Sequence, residues 1–242
     1  MHRFFVAPEQ IEGERVVLRG EQAQQMVQVL RMQVGDEVVV LDGLGWAYGV
    51  RLTAVARSEV TAVVLTKEVA GGEPPIELTL YMALLKRDKF EWVLQKGTEV
   101  GVTRFVPLVT QRSLVQDMAM KANKRDRWQK IITEAAEQAR RGRVPTLDEP
   151  MTLAAALAGC VTECALIPWE EETAVSLRNA LQHIKPNSVA LFIGPEGGWA
   201  AAEIEQAQGA GVQSVTLGQR ILRTETAAIV AAALTLFALE GN

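Results

Sequence analysis

Two short segments near the C-terminus hold residue types whose order could bind and act on a ligand. The first, Leu191-Phe192-Ile193-Gly194-Pro195-Glu196-Gly197-Gly198-Trp199, is an apolar run leading into a glycine-rich turn. Glycines at the carboxyl end of a buried strand let backbone approach a ligand closely, and such crevices are where open α/β sheets hold cofactors. A tight strand-to-helix turn that binds nothing would have the same composition. The segment is not a Walker A loop, because no Gly-Lys-Ser/Thr follows, and it is not GxGxxG either. The second segment is Leu217-Gly218-Gln219-Arg220-Ile221-Leu222-Arg223-Thr224-Glu225-Thr226-Ala227. Thr224 or Thr226 could cap a following helix, and Glu225 would suit its first turn. Two arginines beside a glycine and an apolar pair need another reason. Free backbone N–H and C=O groups between apolar side chains are what orients an adenine ring.

The elements that must position these segments can be read from periodicity. Residues 1–70 show short β segments at Val16–Leu18, Glu37–Leu41, Ala47–Leu52 and Ser58–Leu65, with Gly35-Asp36 and Asp42-Gly43 as turns. One helical stretch, Glu21–Arg31, interrupts them, and a small antiparallel barrel is expected. Residues 71–75 carry Gly71-Gly72 and Pro74-Pro75, a linker composition. Beyond it, residues 76–242 alternate strands and helices. Strands are expected at Ile76–Leu85, Arg104–Thr110, Glu163–Ile167, Val189–Ile193 and Val212–Leu217. Helices are expected at Asp88–Val100, Asn123–Arg140, Glu171–Leu181, Ala200–Gln208 and Thr226–Leu239. This rhythm predicts an α/β domain with a largely parallel sheet covered on both faces, its ligand loops at the strand ends.

Composition narrows the class. The chain is 48% apolar and 22% charged, enough to bury a core, and holds no uncharged apolar run of membrane-spanning length. Met1–Phe5 lacks the long apolar stretch of a secretory signal. The only cysteines, Cys160 and Cys164, have neither redox nor zinc spacing and are expected to be buried thiols, so a cytoplasmic address is expected. No metal site is expected. The net charge of −4 hides a strong asymmetry. Residues 86–143 contain 14 basic against 7 acidic side chains, whereas residues 144–242 contain 4 against 11. A basic block of that kind attracts phosphate, although a set of solvated helix faces would carry the same charges.

Taken together, Gly194–Gly198 and, about twenty residues later, Leu217–Ala227 resemble the RsmE methyltransferases of the SPOUT superfamily. The resemblance covers nearly the whole chain, through Arg3-Phe4-Phe5, Val29-Leu30-Arg31, Lys96–Val102 and Glu134–Gln138 in the family's order. It implies a PUA-like β-barrel over residues 1–70, which holds RNA. It also implies a SPOUT α/β domain over 76–242 with a C-terminal trefoil knot. The implied cofactor is S-adenosylmethionine, held by Ile167, Pro168, Ile193, Gly194, Pro195, Glu196, Gly197, Gly198, Leu217, Gly218, Ile221, Leu222, Arg223, Thr226 and Ala227. The implied partners are 16S ribosomal RNA of the small subunit and a second copy of the chain. Gln24 and Gln25 stand where the family commonly has a His pair, and Ala139 where it often has Ser.

The implied reaction, methylation of uridine N3, sets its own demands. N3 carries a proton at neutral pH, so a general base, or a cation stabilising charge that spreads to O2 and O4, would help. Arg223 suits the second role, and Glu196 and Glu225 are candidates for the first. The basic block then gains a use. Arg3, Arg31, Lys86, Arg112, Lys124, Arg127, Arg140 and Arg141, with Arg87 and Lys89 beside them, are expected to meet RNA phosphates. A non-catalytic RNA-binding or ribosome-assembly factor and a ribose 2′-hydroxyl methyltransferase of the same superfamily are the alternatives.

Overall fold

The computed structural model describes residues 1–86, 88–116 and 118–240, so Arg87 lies outside the described residues. The chain forms two compact units, Met1–Glu73 with Ala136–Val144, and Pro74–Ala135 with the residues from Pro145 onward.

The first unit is built on a curled six-stranded sheet. Its strands are β1 (Arg3–Phe5), β2 (Ile11–Glu12), β3 (Arg15–Arg19), β4 (Glu37–Leu41), β5 (Trp46–Val55) and β6 (Glu59–Val69), in the order β1-β4-β5-β6-β3-β2. Alternation along β3 to β6 points Val16, Leu18, Val38, Val40, Val50, Leu52 and Val60 into one core. Register shifts in β5 at Gly49/Val50 and Leu52/Ala54 bend the long hairpin and help it curl. The sheet is not purely antiparallel as the pattern suggests: β1 runs parallel to β4. Three residues with no alternation to read make β1 silent in sequence. The expected helix over 21–31 is a short α1 (Gly20–Gln24) continued by a π-helical turn, Gln25–Val29, and Arg31 follows in a left-handed conformation, φ 53°.

Residues 136–144, read from the sequence as part of the second domain, cluster with the first unit. The Phe5 N–H donates to Glu137 Oε1 at 2.8 Å, and Ala136 packs against Phe5, Leu41 and Ala47. Glu73 closes the arrangement by pairing with the buried Arg141 at 2.7 Å and accepting the Gly142 and Arg143 N–H groups at 2.9 Å.

The second unit is an all-parallel sheet. Its strands are β7 (Glu77–Ala83), β8 (Arg104–Val109), β9 (Thr146–Leu147), β10 (Met151–Thr152), β11 (Cys164–Pro168), β12 (Ser188–Ile193) and β13 (Gln213–Val215). The order is β10-β8-β7-β12-β11-β13, with β9 also beside β8. Among the described residues six helices accompany it: α2 (Lys89–Val100), α3 (Ala122–Gln138, whose residues from Ala136 belong to the first unit), α4 (Leu153–Gly159), α5 (Leu177–Leu181), α6 (Ala201–Gly209) and α7 (Thr224–Leu239). On one face α4 and α6 pack on Tyr81, Val106, Ile167 and Phe192, with the Tyr81 and Phe192 rings stacked at 4.4 Å. Helix α7 packs on β7, β12 and α2. Strands buried on both faces explain why β7 and β12 read as continuous apolar runs.

Helix α5 is much shorter than the expected 171–181. Glu172 accepts the Ala174 and Val175 N–H groups and Ser176 caps α5 through Asn179 N–H, so the chain turns over 171–176 instead of winding. Helix α4 and strands β9 and β10, too short to show a period, were not legible. Cys160 and Cys164 are half-buried free thiols, less enclosed than expected.

Gly97 marks a close helix-to-sheet approach. A Cβ there would lie 2.8 Å from Cε1 of Phe105, itself fully buried. Gly97→Ala should therefore destabilise the second unit by about 1–2 kcal/mol despite alanine's better helix propensity. Denaturant unfolding of the variant checks this.

Candidate functional site

The carboxyl ends of β11, β12 and β13 meet on one edge of the parallel sheet, and the loops leaving them enclose a cleft of about 170 Å3. Its walls are Pro168, Trp169 and Glu170 after β11, then Ile193–Glu196 with Gly198 and Trp199 after β12. Thr216–Leu222 after β13, with Thr224 and Ala227, complete it. Three loops far apart in sequence converge because parallel strands all deliver their chain ends to the same side.

The β12 loop is shaped by its glycines and one indole. Trp199 is buried, and its Nε1–H donates to the Pro168 carbonyl at 3.2 Å, tying the β12 loop to the end of β11. A Cβ on Gly194 would stand 3.0 Å from that indole, so no larger residue fits between strand and ring. Gly198 adopts φ +68°, its N–H donates to the Pro195 carbonyl at 3.0 Å, and a Cβ there would meet Glu170 Oε1 at 2.4 Å.

Most expected ligand residues reach the cleft; four do not. Ile167 is fully buried beneath it, and Gly197 packs against Arg112, whose Cβ would lie 3.1 Å from a Cβ there. Arg223 is the N-cap residue of α7, exposed between the cleft-lining Leu222 and Thr224, and Thr226 is not part of the wall. Neither Thr224 nor Thr226 caps α7; no side chain caps that end, because Thr224 and Thr226 already lie inside the helix. The expected ligand set left out Trp169, Glu170, Trp199, Thr216, Gln219, Arg220 and Thr224, all of which line the cleft. The length of each loop gives no clue to which of its residues turn inward.

The cations are distributed differently from the expected phosphate-binding set. Lys89, the first residue of α2, places Nζ 3.7 Å from Glu196 Oε1 and 3.5 Å from Glu225 Oε2, so both candidate bases share one ammonium. That oxygen of Glu225 is buried and, among the described residues, accepts no hydrogen bond; Lys89 is its charge partner there. Nothing in the pattern around Lys89 separates it from the surface lysines. Arg112 Nη1 donates to the Gly197 and Trp199 carbonyls, at 3.2 and 3.1 Å. Arg141 is buried against Glu73, so it serves the fold and faces no solvent. Arg127 pairs with Glu91 at 2.5 Å while still exposed, and Lys124 lies over the Trp128 ring at 4.4 Å. Lys86, Arg31 and Arg140 are exposed, whereas Arg3 is half-buried, its guanidinium pKa lowered by burial and by the nearby charge of Arg140. Among the described residues no acidic, His or Cys cluster could hold a metal, and no helix is long and apolar enough to cross a membrane.

Residues 72–236 match the RNA methyltransferase domain family, and residues 18–65 match the RNA methyltransferase PUA domain family. The ribosomal RNA small subunit methyltransferase E of Synechocystis sp. is 39% identical over 235 residues, which span 96% of this chain and 76% of the relative. The chain belongs to the ribosomal RNA small subunit methyltransferase E family. The member from Neisseria gonorrhoeae, crystallised bound to S-adenosylmethionine, superposes with TM-score 0.86 at 34% identity, covering 97% of this chain and 96% of that one. A Legionella pneumophila methyltransferase, also solved with S-adenosylmethionine, gives TM-score 0.88 at 31% identity, with 98% and 97% covered. The second unit is thus a SPOUT-type α/β domain, and the first is PUA-like.

Gly198 offers a direct test of the loop's geometry. Gly198→Ala should cost about 1–2 kcal/mol through its positive φ and the encounter with Glu170. Glu170→Ala in the same chain should recover only part of that loss, since the backbone strain remains. Thermal unfolding of the single and double variants separates the two contributions.

Proposed function

We propose that the protein is an S-adenosylmethionine-dependent methyltransferase that methylates N3 of one uridine in 16S ribosomal RNA. The cleft at the ends of β11, β12 and β13, in a chain of this family, carries the reading. The residues present fit the cofactor. Glycine at 194 and 198 keeps side chains out of a space that Trp199 and Glu170 already bound. Peptide groups lie between apolar Pro168, Ile193, Leu217, Ile221, Leu222 and Ala227, a lining that suits a nucleoside. The bound cofactor supplies an electrophilic methyl group on a sulfonium.

The chain's own residues position the acceptor and manage its proton. Glu196 lines the cleft and Glu225 does not, so Glu196 is the better-placed acceptor for the N3 proton. Lys89 holds both carboxylates to one side by charge attraction. Arg223, exposed beside the cleft and permanently cationic, can donate to O2 or O4 as negative charge develops there. Much of the acceleration then comes from holding two reactants in line.

The finer features belong to the same reading. Lys86 and Arg127 in the second unit, and Arg31 and Arg140 in the first, are exposed cations available to meet RNA phosphates, with Lys124 half-buried over Trp128 beside them. Arg141 is buried and leaves that set, whereas Arg112 stays exposed while its Nη1 holds two loop carbonyls. A second copy of the chain is the proposed cover for α7, whose Leu234 and Phe237 are 47% and 83% exposed. The C-terminal knot is the threading that accompanies three loops crowded round one cleft, and the cytoplasm is the compartment where the substrate resides.

The decisive experiment mixes purified protein, labelled cofactor and small ribosomal subunits lacking the modification. Label on uridine N3 is expected; its absence would sink the proposal, and RNA binding without transfer would point to a non-catalytic assembly factor. Arg223→Ala should lower turnover about 100-fold or more while leaving cofactor affinity nearly unchanged. Equal loss in both would make Arg223 a binding residue.

A further inference from the structure

Arg112 stands in the basic block and is exposed, yet one nitrogen of its guanidinium is bonded to the protein. The segment Thr110–Ser113 leaves the carboxyl end of β8, while Gly194–Ala200 leaves that of β12. Strand β7 lies between those two strands, so no backbone ladder joins their loops. Side chains join them instead, from both directions. Arg112 Nη1 donates to the Gly197 carbonyl at 3.2 Å and the Trp199 carbonyl at 3.1 Å. From the other side, Glu203 of α6 accepts the Gln111 N–H on Oε1 at 2.8 Å and the Ala200 N–H on Oε2 at 3.0 Å. Glu203 is buried, 8% exposed, so its charge is satisfied by the two amides it holds.

These four bonds close a circuit that runs Gln111–Arg112, Gly197–Trp199, Ala200, Glu203 and back to Gln111. The stretch it encloses, Gly197–Ala200, has two glycines, whose backbone would otherwise sample more conformations. Arg112 draws the carbonyls of Gly197 and Trp199 toward itself, which fixes how the intervening peptide planes are turned. The close packing of Gly197 against the Arg112 backbone, 3.3 Å from a Cβ there to the Arg112 carbonyl oxygen, shows that the contact is fitted.

We infer that Arg112, backed by Glu203, is a positioning residue for the cofactor loop, setting the conformation of Gly197–Ala200 before any ligand arrives. The ligand side of this inference rests on the cofactor assignment above; the loop side does not. Hydrogen exchange on the protein alone reads the loop. In Arg112→Ala the Gly198 and Ala200 amides should exchange about ten-fold faster or more than in the parent chain, with global unfolding little changed, and Glu203→Gln should act on Ala200 in the same direction. Calorimetric titration with S-adenosylmethionine should show affinity lowered about ten-fold in Arg112→Ala, with partial recovery in Arg112→Lys, which keeps the charge but not the forked donor. Unchanged amide exchange in Arg112→Ala overturns the inference, as does unchanged cofactor affinity beside weakened ribosomal RNA binding, which would return Arg112 to the phosphate-contacting set. A parent chain that binds no cofactor would defeat the functional reading, and amide exchange would still decide the loop.

Discussion

The site depends on how a buried indole closes the space between two parallel strands. Trp199 fills the gap beside Gly194 and donates its one N–H to the Pro168 carbonyl, so the ends of β11 and β12 are joined by a side chain where the ladder has run out. Trp199 also packs in the core under α4 and α6 with Phe192 and Ile204. An indole has a large apolar body and a single donor, and both are used. The cleft's floor is therefore continuous with the hydrophobic core, and its shape follows from the same packing that keeps the sheet folded.

Charge is organised around that floor by pairing. Lys89 serves two glutamates, Arg112 two carbonyls, and Arg141 a carboxylate that also accepts two backbone amides. An arginine buried to 2% exposure is tolerated because its partner is at hand; unpaired, its desolvation would outweigh any packing gained. The basic block thus divides into cations paired within the protein and cations left facing solvent. Lys89 and Arg112 sit in the first group by their partners, although Arg112, like Lys86, remains exposed.

Long and periodic elements were legible from the sequence. The apolar runs that became β7 and β12, and the helix that ends at Gly101 with φ 124°, lie within a residue or two of their expected limits. The glycine loop after β12 and the Leu217–Ala227 loop were legible too, because glycine, proline and paired charges at a strand end have few other uses. Elements of two or three residues were not, and neither was the return of residues 136–144 to the first unit. The bonds of Glu137 to Phe5 and of Arg141 to Glu73 span 132 and 68 positions, and no local pattern encodes them.

By itself, then, the amino-acid order determined an α/β unit with two glycine-bearing loops at strand ends, preceded by a small β-rich unit, and the family whose motifs those loops carry. Periodicity and turn chemistry act over a few residues, and these features are local. Only the tertiary structure decided which loop residues face the cleft, that Trp199 bridges to Pro168, and which cations turn inward. Those outcomes depend on contacts between β8, β11, β12 and the start of α2, which meet only when the sheet is assembled. A side chain's role there is set by what stands opposite it.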